Sequence, residues 1–131
     1  MRAQEYVVLA EYGAEEILST TGFDSPSRTF VIDGIECVVK MRSLRYAAFK
    51  KSPACARCGI IGTVMRLEHD RGCDPRRPHF NLYARTDDGL VLMTKDHIMP
   101  RSAGGTDFPD NLQTMCVRCN HEKDDRIPGD M

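Results

Sequence analysis

The sequence predicts an α+β domain in which β-hairpins and short helices share one core, with an N-terminal hairpin extension. Three observations carry this. Two β-branched runs, Thr29–Ile32 and Ile35–Val39, flank Asp33-Gly34, a dipeptide that favours the tight type I′ hairpin turn. A second pair, Phe80–Ala84 and Leu90–Thr94, flanks Asp88-Gly89 in the same way. Between them, Leu44, Ala47 and Ala48 recur at helical spacing from Met41 to Lys51, and Ser52-Pro53 ends the run.

The remaining elements follow in order. Val7-Val8-Leu9 reads as a short strand or a helix start, and Ala14–Thr20 as a short helix stopped by Gly22. Thr63–Leu67 reads as a strand. Glu68–Pro78, polar and rich in arginine and proline, reads as an exposed loop. Leu112–Met115 reads as a strand, and a helix is expected from Asn120 to about Arg126, ended by Ile127-Pro128-Gly129. Residues 1–40 are expected to form the extension and 41–131 the principal domain.

A chain of 131 residues, 41% hydrophobic, suits one small domain that a metal clip would help stabilise. No apolar run approaches membrane-spanning length, so no membrane partner is expected and a cytoplasmic protein is the default. Net charge is -1, but its distribution is uneven. Residues 1–40 carry -4, residues 41–86 carry +7 and residues 87–131 carry -4. A basic middle suits phosphate and an acidic end suits a cation, although charges that only solvate the surface would give the same pattern. On the basic helix, Arg42, Arg45, Lys50 and Lys51 are the candidates for nucleic-acid contact, with an ordinary solvated helix as the alternative.

Six cysteines in a chain of this type argue for metal rather than disulfides. Cys55 and Cys58 form one Cys-x-x-Cys pair, and Cys116 and Cys119 a second. Each pair supplies half of a tetrahedral thiolate shell, so together they predict a structural zinc site. The 57 residues between Cys58 and Cys116 exceed the usual ribbon spacing, and the intervening hairpin must return the chain to the first pair. Cys37 reads as a buried core thiol. His69, Cys73 and His79 are too irregularly spaced to predict a second metal site.

The chemistry concentrates between residues 87 and 127. Asp96-His97 ends a predicted strand, Gly104-Gly105 turns the chain back, and Asn111 and Asn120 follow. An imidazole has the intrinsic pKa to accept a proton from water near neutral pH. The oxygens of Asp96 and Asn120 are hard ligands that suit Mg²⁺ or Mn²⁺. Asn111 is expected to tie the loop and hold the His97 carbonyl or ring. Lys123 shares a helix face with Asn120 and, with Arg101, is a candidate phosphate contact, whereas His121 diverges from that face. Taken singly, Asn120 could be a helix cap and Asn111 a turn residue.

Asp96-His97-Ile98-Met99-Pro100, Gly104-Gly105, Asn111-Leu112 and Cys116-Val117-Arg118-Cys119-Asn120-His121-Glu122-Lys123 together resemble the HNH endonuclease family, its phage-type members in particular. With the basic helix and first cysteine pair the resemblance covers roughly residues 41–127. Asn120 stands where the family name has its second histidine, which is similar to an active HNN variant. The resemblance implies a zinc-stabilised ββα-metal core that hydrolyses DNA phosphodiester bonds, nicking as a monomer. It implies His97 as general base and one divalent cation as Lewis acid. Phage packaging proteins as partners, and a host cytoplasm, are further implications. The alternative is a non-catalytic zinc-stabilised nucleic-acid-binding or phage-assembly module.

Overall fold

The first hairpin forms where turn chemistry and strand propensity agree. In the second, Thr86 pairs with Gly89, so Asp87-Asp88 make the turn instead of the expected Asp88-Gly89, and Gly89 (φ 112°) opens the following strand. In the computed structural model, which describes residues 6–22 and 24–123, Asp33 and Gly34 both take positive φ, at 51° and 80°. That conformation matches the twist of the strands it joins. The flanking strands β2 (Arg28–Ile32) and β3 (Ile35–Val39) pair in register from Arg28–Val39 to Ile32–Ile35 and make a separate two-stranded sheet.

The principal sheet is antiparallel and has five strands in the order β1-β4-β5-β6-β7. These are β1 (Tyr6–Gly13), β4 (Gly62–Asp70), β5 (His79–Thr86), β6 (Gly89–His97) and β7 (Leu112–Cys116). Helix α1 (Ala14–Leu18) follows β1, α2 (Leu44–Lys51) precedes β4, and α3 (Val117–Lys123) follows β7. The Val7–Leu9 run is therefore strand, and it lies at the sheet edge against β4. The fold is mixed α and β, with strands in the majority. No described helix is long and apolar enough to cross a membrane.

β6 changes partners along its length. Gly89–Leu92 pairs with β5, and Met93–His97 pairs with β7. The first half of β5 is thereby left without β6 beside it, and buried unpaired backbone groups cost about 1–3 kcal/mol each. Helix α2 supplies the partners. Tyr46 Oη accepts from Phe80 N at 2.9 Å, and the Arg45 guanidinium donates to Phe80 O and Asn81 Oδ1, both at 2.6 Å. Ser43 caps α2 by accepting from Tyr46 N at 3.1 Å.

One core joins the expected extension to the rest. Ile17, Phe30 and Val39 pack in the same buried cluster as Phe49, Leu67, Phe80, Leu82 and Met115. Phe30, Tyr12 and Phe80 meet with ring centroids 5.6–5.9 Å apart, pinning the small hairpin and β1 onto β5. On α2 the buried residues are Tyr46, Ala48 and Phe49, so the helix sits rotated from the Leu44–Ala47–Ala48 face expected.

The Glu68–Pro78 loop begins later than its composition suggests. β4 runs on to Asp70, and Glu68 and His69 are buried. Glu68 is satisfied by cross-strand partners: Asn81 Nδ2 donates to its Oε1 at 2.8 Å, and the Tyr83 hydroxyl donates to the same oxygen, while His69 Nδ1 lies 3.0 Å from the neighbouring Asp70 O. Burial, and then that bond to Glu68, push the Tyr83 phenol well above its ordinary value. The helix expected from Asn120 begins at Val117, and the described part of it ends at Lys123. The expected continuation to Arg126 and the Ile127-Pro128-Gly129 stop lie outside the described residues.

Candidate metal and active centre

At one end of the sheet, the turn before β4 and the junction of β7 with α3 bring the two cysteine pairs together. The Sγ atoms of Cys55, Cys58, Cys116 and Cys119 all lie within 4.8 Å of one another. Cys58 Sγ and Cys116 Sγ are 3.8 Å apart. Tetrahedral thiolates at a zinc–sulfur distance of about 2.3 Å are themselves separated by about 3.8 Å, so the cluster fits zinc. Backbone amides already serve the sulfurs: Cys58 N lies 3.5 Å from Cys55 Sγ, and Cys119 N lies 3.4 Å from Cys116 Sγ. An Arg57–Glu122 ion pair links the first knuckle to α3.

Protons tell the same story. Burial raises the Cys55 thiol, but amide donors from Cys58, Cys116 and Arg57 outweigh it and bring the group down to about 6. Burial pushes Cys116 and Cys119 up, and for Cys119 the neighbouring sulfurs add to it. Without a cation the Cys55 thiol ionises more readily than those of Cys116 and Cys119, and a bound dication would favour the thiolate form of its ligands. Among the described residues this is the only such cluster, and His69, Cys73 and His79 do not form a second. Cys37 is buried, as expected for a core thiol.

The second centre lies where β6 ends. Thr94 and Asp96 are two residues apart on the strand and so share a face. Helix α3 packs on that face through Asn120 and Lys123. Asn120 Nδ2 donates to Thr94 Oγ1 at 2.7 Å, and Thr94 Oγ1 donates to Met115 O at 2.7 Å. A hydroxyl has one hydrogen, and Thr94 gives it to Met115. The Asn120 amide must therefore turn its NH₂ to Thr94, and its Oδ1 has no hydrogen-bond donor among the described residues and is available as a ligand. Asn120 lies within α3 and is not its cap.

Asp96 is 6% exposed and sits among donors. Gln113 Nε2 donates to its Oδ2 at 2.8 Å across the β6–β7 pair. Lys123 Nζ lies 3.2 Å from both carboxylate oxygens and donates to His97 O at 2.9 Å. The oxygens of Asp96 and Asn120 are a donor set that fits one hard divalent cation.

His97, the next residue on the strand, bonds to the loop. Its Nε2 is 2.7 Å from Asp107 Oδ1. The hydrogen bond from His97 holds the Asp107 carboxyl below its ordinary value, so it is an ionised acceptor near neutral pH. Nε2 then carries the proton it donates, and in the neutral ring Nδ1 is the nitrogen with the lone pair. Above the ordinary carboxyl range the interaction is at full strength, and it is lost as pH falls through the depressed value. By carboxyl-carbon NMR, Asp107 is expected to titrate below 3.8 in the native protein and to move upward in His97→Ala. An unmoved midpoint would show that the two do not interact.

Asn111 staples this loop. Its Oδ1 accepts from Met99 N at 2.9 Å, and its Nδ2 donates to Met99 O at 3.1 Å and Thr106 O at 2.8 Å. It ties the backbone on both sides of the Gly-Gly turn rather than holding His97 itself. The His97 carbonyl is held by Lys123 and the ring by Asp107. Gly104 has φ 92°, and a Cβ on Gly105 would meet Met99 O at 1.7 Å. Gly105→Ala must therefore displace the segment that carries Asp107. It is expected to loosen the His97–Asp107 contact and so move the Asp107 carboxyl midpoint upward. A midpoint left at its native position would show that the loop geometry does not matter.

The expected nucleic-acid contacts divide. Arg42 is exposed, and Arg101 is exposed with Nε 3.8 Å from Asp107. Lys50 holds its ammonium on Thr21 O at 2.7 Å, and Lys51 on Pro109 O and Leu112 O at 3.2 and 3.3 Å. Arg45 and Lys123 are turned inward, because unpaired strand carbonyls and a buried carboxylate attract them. Lys123 is only 3% exposed, so in this conformation it does not face phosphate.

Thr94, Asp107 and Gln113 were missed from sequence. The two-residue strand period placed Thr94 on the Asp96 face and could have found it. No spacing rule announces Asp107 or Gln113.

No curated protein and no solved structure matches this chain. The stretch from 86 to 131, which holds Thr94, Asp96, His97, Asp107, Asn111, Gln113, Asn120, Lys123 and the second cysteine pair, matches the family model of the HNH endonuclease.

Proposed function

We propose that this chain is a metal-dependent endonuclease that hydrolyses DNA phosphodiester bonds, with β6, β7 and α3 as its ββα-metal unit. The observation that supports the reading is Asn120 bonded to Thr94 on the strand face of Asp96, next to His97, whose ring is bonded to Asp107. In this reading His97 Nδ1 takes a proton from the attacking water, and Asp107 holds the ring and stabilises its protonated form. Thr94 sets the Asn120 amide, Gln113 orients the Asp96 carboxylate, and Asn111 fixes the loop. Asp96 and Asn120 hold Mg²⁺ or Mn²⁺, which when bound relieves charge on the phosphate and the leaving oxygen. The four cysteines hold structural zinc. Arg42, Lys50, Lys51 and Arg101 attract the backbone phosphates. One site cuts one strand, so the monomer nicks.

Supercoiled plasmid provides the test. Relaxation to the open circle with Mg²⁺ or Mn²⁺, abolished by EDTA, is the expected result. Binding without relaxation under any divalent condition would overturn the assignment.

A further inference from the structure

Lysine is rarely buried unless it is paired. Lys123 is 3% exposed, and its ammonium donates to Asp96 Oδ1 at 3.2 Å and His97 O at 2.9 Å and lies 3.2 Å from Asp96 Oδ2. Among the described residues, the other side chain bonded to that carboxylate is the neutral Gln113, and Thr94 and Asn120 bond each other on the same face. Lys123 is therefore the cation that the Asp96 carboxylate is paired with among the described residues. We propose that Lys123 is an internal counter-cation of Asp96 that must leave when a divalent cation binds.

This rests on the hydrolytic reading, in which Asp96 is a ligand. A hard divalent cation sits about 2.0–2.1 Å from a carboxylate oxygen. The ammonium at 3.2 Å would then be a like charge within a few ångströms in a poorly solvated site. Such pairs strongly disfavour each other. Lys123 has a flexible four-carbon stem, so its ammonium can withdraw by rotation of that stem. It would emerge on the α3 face it shares with Asn120. Metal binding and exposure of the Lys123 amine are therefore linked, and each opposes the resting pair.

Amine acylation read by peptide mass spectrometry tests this on the full chain as purified. Without added divalent cation, Lys123 is expected to react more slowly than exposed Lys40. Saturating Mg²⁺ should accelerate Lys123 at least about tenfold and leave Lys40 unchanged. In Asp96→Asn, Lys123 should react fast with or without Mg²⁺. A companion titration of Mn²⁺ by electron paramagnetic resonance should show Lys123→Met binding at least about tenfold more tightly than the native chain. Should that variant fail to fold, the acylation experiment on the native chain still decides. Mg²⁺-dependent cleavage with Lys123 still protected would overturn this proposal alone. Equal or weaker Mn²⁺ binding by folded Lys123→Met would do the same. Absence of both cleavage and accelerated acylation would overturn it together with the hydrolytic reading.

Discussion

Cys116→Ala protein is expected to melt more than about 10 °C below the native chain, or to show no cooperative transition, and to retain no zinc. Cys116 is 1% exposed at the junction of β7 with α3. It closes a cluster whose other half lies between α2 and β4, so the site joins segments distant in sequence. Metal bound only by the folded form adds its binding free energy to folding, and structural zinc contributes about 10–16 kcal/mol in small peptide modules. One kcal/mol shifts the midpoint of a domain this size by about 2–8 °C, so partial loss of that contribution is readily measured. Chelation of the native chain should reproduce the effect. A native midpoint in Cys116→Ala would remove zinc from the account.

His97→Ala should leave the fold and zinc intact and lower the single-turnover cleavage rate by about 10²–10⁴-fold, the usual contribution of a positioned general base. The imidazole stands at the end of β6 with its side chain 16% exposed, and its described partner is Asp107 on the loop. Removing it opens little core, so the loss should appear in rate and not in melting temperature. Cleavage within a few-fold of the native rate would assign the proton transfer to another group.

The first hairpin is legible because a local rule decides it, whereas the second turns one residue earlier than its Asp-Gly pair suggests. Asp33-Gly34 adopts the positive φ values the dipeptide favours, whatever surrounds it. The cysteine pairs were legible because metal ligation tolerates few spacings. Glu68 and His69 were misread because their polarity suggested solvent, and Asn81 and Tyr83, which satisfy Glu68, lie on another strand. Arg45 reads as a surface cation for the same reason, and Lys123 reads as a phosphate contact on the Asn120 face although it is buried against Asp96. Where a cation points depends on which carbonyls the ladder leaves unpaired, and that follows from β6 changing partners. Asp107 reaches His97 only because Asn111 and Gly105 fold the loop back, a contact that no periodicity encodes.

A carboxylate on β6 and a carboxamide on α3 are held to share one ion. Anomalous diffraction from crystals soaked in Mn²⁺ tests that directly. The account predicts a peak within coordinating distance of Asp96 and of Asn120 Oδ1, with the Lys123 ammonium withdrawn. A chain that cuts DNA with Mn²⁺ yet shows no peak between those two side chains would contradict it.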